Sequence, residues 1–339
     1  MARSPHIINR LHGQRGGVAI WFALCLPVLL GFAALAVDLA RLNLIRVELQ
    51  NAADAAALAG ARALSDSGGQ PYNWQAAHDW ALSVAQRNYA NGAQIQSTQI
   101  ICEPTPYYWH LPHGTVPAIK VTVTMPLKLF FAPIWGVNQK SVQASATAMI
   151  APPASGTGMT PFVINKIMFD NYWDSANHCP VYENGKPKEL IIGIGSTYFG
   201  TAIDSGTWTT FNNQTNSINA NAYIVELING GGNTAALSIG DSIWIASGAK
   251  ESAYSALFAK AANTDVSIIV VQSVQEGSWQ PIYAIAGFHI DKVLVAKEKI
   301  NGKPYVQGHF IDPTTIPGTD PGTGNGRQYG ALTPPALVE

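Results

Sequence analysis

Apolar positions along the chain follow three rhythms, and each predicts a different kind of element. From Val18 to Val37 (VAIWFALCLPVLLGFAALAV) the apolar run is continuous, 20 residues without a charged side chain. At about 1.5 Å of rise per helical residue, such a run covers the ~30 Å hydrocarbon core of a bilayer. From Asp38 to Leu64 the run gives way to a period of three to four, with Leu39, Leu42, Ile45, Leu49, Ala53 and Ala56 on one stripe. The residues joining the two stretches are good helix formers, so one long helix over 18–64 is predicted, its first half in lipid.

The polar break SDSGGQP, with Gly68 and Gly69 as stops, ends that helix. Trp74 to Tyr89 returns to helical spacing and sets Trp74, Ala77, Trp80, Ala81, Val84 and Ala85 on one face. A period of two then marks strands at Gln94–Cys102, Ala118–Met125 and Val142–Ile150. Pro152-Pro153 and the Gly-Ser-Thr run to Gly158 read as a linker over 151–158. Beyond it, strands are predicted at Leu190–Ile194, Tyr223–Ile228, Ser242–Ala246, Val266–Val271, Ile282–Phe288, Lys292–Ala296 and Tyr305–Ile311, with one helix at Ser252–Ala262. These make residues 159–312 a mostly β second domain. From 313 to 339 the chain turns to Pro, Gly and Thr, too poor in apolar side chains for a core of its own, and a flexible tail is expected. The fold class is α+β.

Charge orients the first helix. The 17 residues before Val18 carry Arg3, Arg10 and Arg15 and no acid, whereas Asp38, Arg41, Arg46 and Glu48 follow the span in mixed order. The basic arm 1–17 is therefore expected in the cytoplasm and everything after Val37 outside it, the topology of a single-pass membrane protein with extracytoplasmic domains. Only 12% of residues are charged, about half the usual share. Removing the arm's three arginines leaves 17 basic against 21 acidic residues, a net charge of −4, with no basic patch for nucleic acid. Two processing signals compete with a retained anchor. Ala34-Leu35-Ala36 has the form of a signal-peptidase site, but its apolar run is longer than a secretory h-region. Gly16-Gly17 after a basic arm looks like a prepilin leader, yet Phe22 stands where such leaders place a glutamate.

The order RGGVAIWFALCLPVLLGFAALAVDLARL followed by LQNAADAAALAGARAL resembles the N-terminal segment of TadG-like proteins of the tight-adherence (Tad, or Flp) pilus machinery. The matching features are the small pair before the span, Pro27 within it, Asp38 closing it, and Gln50, Asn51, Ala52, Ala53, Asp54, Ala55 and Ala56. A weaker echo is FFAPIWGVNQKSVQASATAMI, residues 130–150. The resemblance implies an uncleaved structural or assembly component, with a pilin-like α+β unit over 65–150 and other pilus-assembly or pilin-like membrane proteins as partners, alongside inner-membrane lipid. Asp38, Gln50, Asn51, Asp54 and Ala56 are the candidate helix-contact residues. Asp38 also reads simply as a solvated helix-end residue.

Candidate chemistry is sparse. Cys102 and Cys179 both fall outside the membrane and make one possible disulfide, against two separate buried thiols, while Cys25 fills the span. His110 and His113 lack a companion carboxylate or cysteine, and His178-Cys179 lacks an orienting group. Gly193, Gly195 and Gly200 match no phosphate loop. Neither a cofactor nor an enzymatic activity is expected. Two other classes compete with pilus assembly. One is a membrane-tethered ligand- or glycan-binding protein using Tyr172, Trp173, Tyr198, Phe199, Trp208 and Phe211. The other is a membrane-anchored hydrolase built around His178, His289 or His309.

Overall fold

The computed structural model describes residues 15–65, 72–107, 116–199, 201–213, 217–248, 251–321 and 326–338. Most of the basic arm, the glycine break after Ser65 and the His110/His113 loop lie outside the described residues.

Helix α1 runs from Arg15 to Ala63, 49 residues with Pro27 inside it. It is apolar and long enough to cross a membrane, and its hydrophobic stretch makes no use of the protein core. From Ala19 to Val37 it is exposed apart from half-buried Gly31 and Ala34; above Asp38, Ile45, Leu49, Ala52, Ala53, Ala56, Ala57 and Ala61 are buried. That buried stripe meets α2 (Trp74–Gln86) and an antiparallel sheet of β1 (Ile100–Tyr107), β2 (Val116–Lys128) and β3 (Gln139–Met149). Large side chains on β2 stand opposite small ones on β3, Val121 against Ala146 and Val123 against Ala144. The alanines of α1 then let the helix lie close on the sheet. At the crossing with α2, a Cβ on Gly60 would stand 3.0 Å from Ala77 O, Ala81 Cβ and Ile119 Cδ1 alike. This closeness corrects the expectation for α2. Its buried face is Ala77, Ala81 and Ala85, and Trp80, expected inward, is 54% exposed because no room remains between the helices for an indole.

The second unit is a mixed sheet with helices on one side. Its strands are β4 (Phe162–Asn165), β5 (Leu190–Ile192), β6 (Gly206–Trp208), β7 (Ser242–Ile245), β8 (Thr264–Val271), β9 (Ser278–Leu294) and β10 (Tyr305–Phe310). The order is β5-β10-β9-β8-β4-β6, with β7 also pairing β9; β8 and β4 run parallel and the other pairs antiparallel. Three helices accompany it: α3 (Lys166–Tyr172), α4 (Ser217–Gly230) and α5 (Glu251–Ala261). Side chains of all three share one core with one face of the sheet, among them Phe169, Ile224, Tyr254 and Phe288. A smaller core around Val163, Ile243, Ile269 and Ile285 covers the opposite face.

Four expectations change here. The segment Tyr223–Ile228 is helix, not strand: Ala220, Ile224 and Ile228 recur every fourth residue and all are buried, which outweighs the β-rich look of Tyr-Ile-Val. The strands expected at 282–288 and 292–296 are one strand, β9, whose register on β10 shifts between Ile290 and Lys292, so that Asp291 is the extra residue of a bulge. The tail, expected flexible, is paired in its described parts. Thr314–Thr315 pairs with Ala331–Leu332, Thr319–Asp320 with Ser155–Gly156, and Ala336–Leu337 with the end of β3. Such a segment needs no core of its own, because Leu332 enters the core beneath α1. The stretch read as a linker is likewise held, Ser155–Gly156 lying between Leu237–Ser238 and Thr319–Asp320.

Candidate functional site

The membrane-proximal end of the first unit is organised by one carboxylate. Asp38 is 2% exposed. Its Oδ1 accepts the Phe130 N–H at 2.9 Å, and its Oδ2 accepts those of Phe131 at 3.0 Å and Ala132 at 2.8 Å. These donors open a short 3-10 turn, Ala132–Trp135, at the tip of the β2–β3 hairpin, closed by Gly136 at φ 82°. Loss of water around Asp38 pushes its pKa up, but the three N–H groups and the Arg41 guanidinium outweigh this and hold it below the ordinary 3.8. The reading of Asp38 as a solvated end residue is thereby overturned.

Arg41, one turn further along α1, completes the junction. Its guanidinium donates to the Lys128 carbonyl at 2.8 Å and to Asn91 Oδ1 at 3.0 Å, and lies 4.1 Å from the centre of the Phe130 ring. Glu48 accepts the Asn91 N–H at 2.8 Å. Sequence reasoning missed Arg41, because its partners are 50 and 87 residues away. The apolar 130–137 run beside Lys128 and Lys140 was the available signal for the tip.

The remaining helix-contact candidates separate. Gln50 donates to Asp54 Oδ1 at 2.8 Å, one turn along, and to the Ser145 carbonyl of β3 at 3.0 Å. Asn51 faces solvent. Ala56 is fully buried in the chain's own core, so its small size serves the intramolecular contact with the sheet. Between α1, α2 and the tail lies an open groove of about 770 Å³ lined by Leu58, Arg62, Trp80, Val84, Thr314 and Pro335.

The other sequence candidates are dispersed. All three cysteines are free, Cys102 on β1 and Cys179 in the second unit beside Trp173–Asp174. Burial pushes the Cys102 thiol up to about 11, which keeps it un-ionised and unreactive at neutral pH. Of the aromatic cluster, Tyr172, Trp173, Trp208 and Phe211 are buried in the second unit's cores, whereas Phe199 is exposed. Tyr172 and Tyr198 line a cleft of about 480 Å³ with Tyr305 and Gln307. His289 and His309 stack across β9 and β10 with ring centres 5.0 Å apart, their Nδ1 atoms 2.6 Å from Asp265 and 2.9 Å from Asp291. Among the described residues neither ring bonds to a hydroxyl or thiol, so the pair has orienting carboxylates without a nucleophile. No group of three His, Cys, Asp or Glu suited to a metal ion occurs among the described residues.

Residues 16–63 match the family model described as Tad, putative Flp pilus-assembly TadE/G-like. Residues 43–148 match Tad_C, putative Tad-like Flp pilus-assembly. No curated protein and no solved structure matches the chain. The matched span ends one residue before the last residue of β3, so it coincides with the long helix and its sheet.

Proposed function

We propose, from the match of residues 16–63 to a TadE/G-like and of residues 43–148 to a Tad-like Flp pilus-assembly model, that this chain is a TadG-like, membrane-anchored assembly component of a tight-adherence pilus. In this reading α1 holds it in the bacterial inner membrane with residues 1–17 cytoplasmic. The first unit then stands directly on the outer face, and the second unit makes protein contacts with other pilus-assembly or pilin-like proteins. The observation that carries the reading is that the family match and the α1–sheet unit have the same limits, so the matched region is a folded body and not merely an apolar helix. The uncharged run of α1 and the arginine-only arm support the anchor and its orientation.

Deleting the gene is expected to reduce surface pili and attachment. A chain lacking Val18–Val37 should be released and fail to restore them, and a chain lacking residues 159–312 should also fail. Alkaline phosphatase fused after Leu64 should be active. Normal pili and attachment in a clean deletion would refute the assembly role; an inactive fusion would refute the orientation.

A further inference from the structure

The β2–β3 hairpin tip presents an apolar surface that the described residues leave largely uncovered. Phe130 is 64% exposed, Ile134 77% and Trp135 58%, with Phe131 and Val137 also open. The Trp135 ring reaches the helix at Gly31, where its nearest atom is 3.9 Å from a Cβ built there, and it shares a hollow with Pro27, Val28, Phe32 and Leu35. Gly31 precedes Asp38 by seven residues, about 10 Å along a helix axis. Whatever medium surrounds the outer third of the apolar run therefore also surrounds this tip.

We propose that residues 130–137 are a second membrane-inserting element, which buries Phe130, Ile134 and Trp135 in the outer leaflet of the phospholipid bilayer that α1 spans. The inference rests on the anchored reading above.

Irregular backbone enters hydrocarbon only where its polar groups are satisfied within the protein. This tip meets that condition for most of its N–H groups. Asp38 takes three of its N–H groups. Those of Leu129, Ile134, Gly136 and Val137 go to the carbonyls of Asn138, Phe131, Pro133 and Ala132. Pro133 has none to satisfy. The rim has the opposite character: Arg41 lies against Phe130, while Lys128 and Lys140 stand on the last rungs of the hairpin, paired with Gln139 and Leu127. Cations around an aromatic tip suit headgroup phosphates above acyl chains. With α1 as one point of attachment and the tip as a second, the first unit cannot swivel freely about its helix.

The test uses the full chain with Cys25, Cys102 and Cys179 replaced by alanine, reconstituted in phosphatidylethanolamine/phosphatidylglycerol vesicles. A single environment-sensitive fluorophore is attached at Ile134→Cys, Leu29→Cys or Lys260→Cys. The expected result is that the Ile134 probe loses its emission to a lipid spin-labelled high on its acyl chain and is untouched by aqueous iodide, the Leu29 probe behaves likewise with a deeper spin label, and the Lys260 probe responds only to iodide. A Leu29 probe in lipid with an Ile134 probe open to iodide would overturn the insertion and leave the anchor standing. An Ile134 probe shielded from both quenchers would assign the tip to a protein partner and equally overturn the proposal. A Leu29 probe open to iodide would instead overturn the anchored reading itself. Val137→Cys, on the same tip, repeats the measurement should the Ile134 variant not fold.

Discussion

Gly60 is where the closeness of α1 to the rest of its unit can be measured. A Cβ there would meet a backbone carbonyl of α2, a methyl of α2 and the Ile119 Cδ1 of β2, each at 3.0 Å. Ile119 can yield by rotating its terminal methyl, but Ala77 O and Ala81 Cβ are fixed to a helix that is itself packed. Gly60→Ala gains ~1 kcal/mol of helix propensity and loses ~1–3 kcal/mol to overpacking, so the net cost is expected to be about 1 kcal/mol. Gly60→Leu adds three more heavy atoms to the same contact and should reach or exceed ~3 kcal/mol. At ~2–4 °C of Tm per kcal/mol for a body of this size, the leucine variant should melt ~6–12 °C lower. The control is Ala59→Leu, one residue earlier on the same helix, where the side chain enters the open groove beside Arg62 and Trp80. Thermal and urea unfolding of the full chain, followed by tryptophan emission, provides the measurement. Equal midpoints for Gly60→Leu and Ala59→Leu would show that α1 and α2 are not in close contact and would refute the packing account.

Asp38 has a depressed pKa, so its stabilisation is fully present above its unfolded value of 3.8 and is lost as pH falls through the lower folded value. Asp38→Asn, which keeps the size and removes the charge, should flatten that acid limb and raise proteolysis of the 130–137 tip at neutral pH; an unchanged acid transition would show that the three N–H bonds do not hold the tip. Leu332 is fully buried in the core beneath α1, and Leu332→Ala should cost ~2–5 kcal/mol, read as a lower urea midpoint, whereas a tail that was merely draped over the surface would show no change. Ala56→Trp should impair folding, and with it pilus assembly, far more than Arg62→Trp, because Ala56 is fully buried and Arg62 exposed; equal tolerance would mean that the alanine stripe is not packed.

What the sequence determined by itself was the periodic and the local. An uncharged run of 20 residues is long enough to cross a bilayer as a helix, and the structure makes it part of one. Alternating Ile119, Val121 and Val123 can bury one face only as a strand, and these three do face the core. The N-terminal resemblance was legible for the same reason, since it rests on a contiguous run. Tertiary structure decided whatever depends on partners far along the chain. Asp38 at the end of an apolar helix looks solvated until three N–H groups 92 to 94 residues away close on it. Trp80 carries the right spacing for a buried face, but the spacing does not report that the neighbouring helix is too near for an indole. Tyr223–Ile228 is rich in β-formers, and only a sheet face needing a stripe at every fourth residue makes it helix. The tail has too few apolar residues to build a core, yet pairing with strands already formed asks for no core. Local pattern reports what each segment can bury; the fold decides what is there to bury it against.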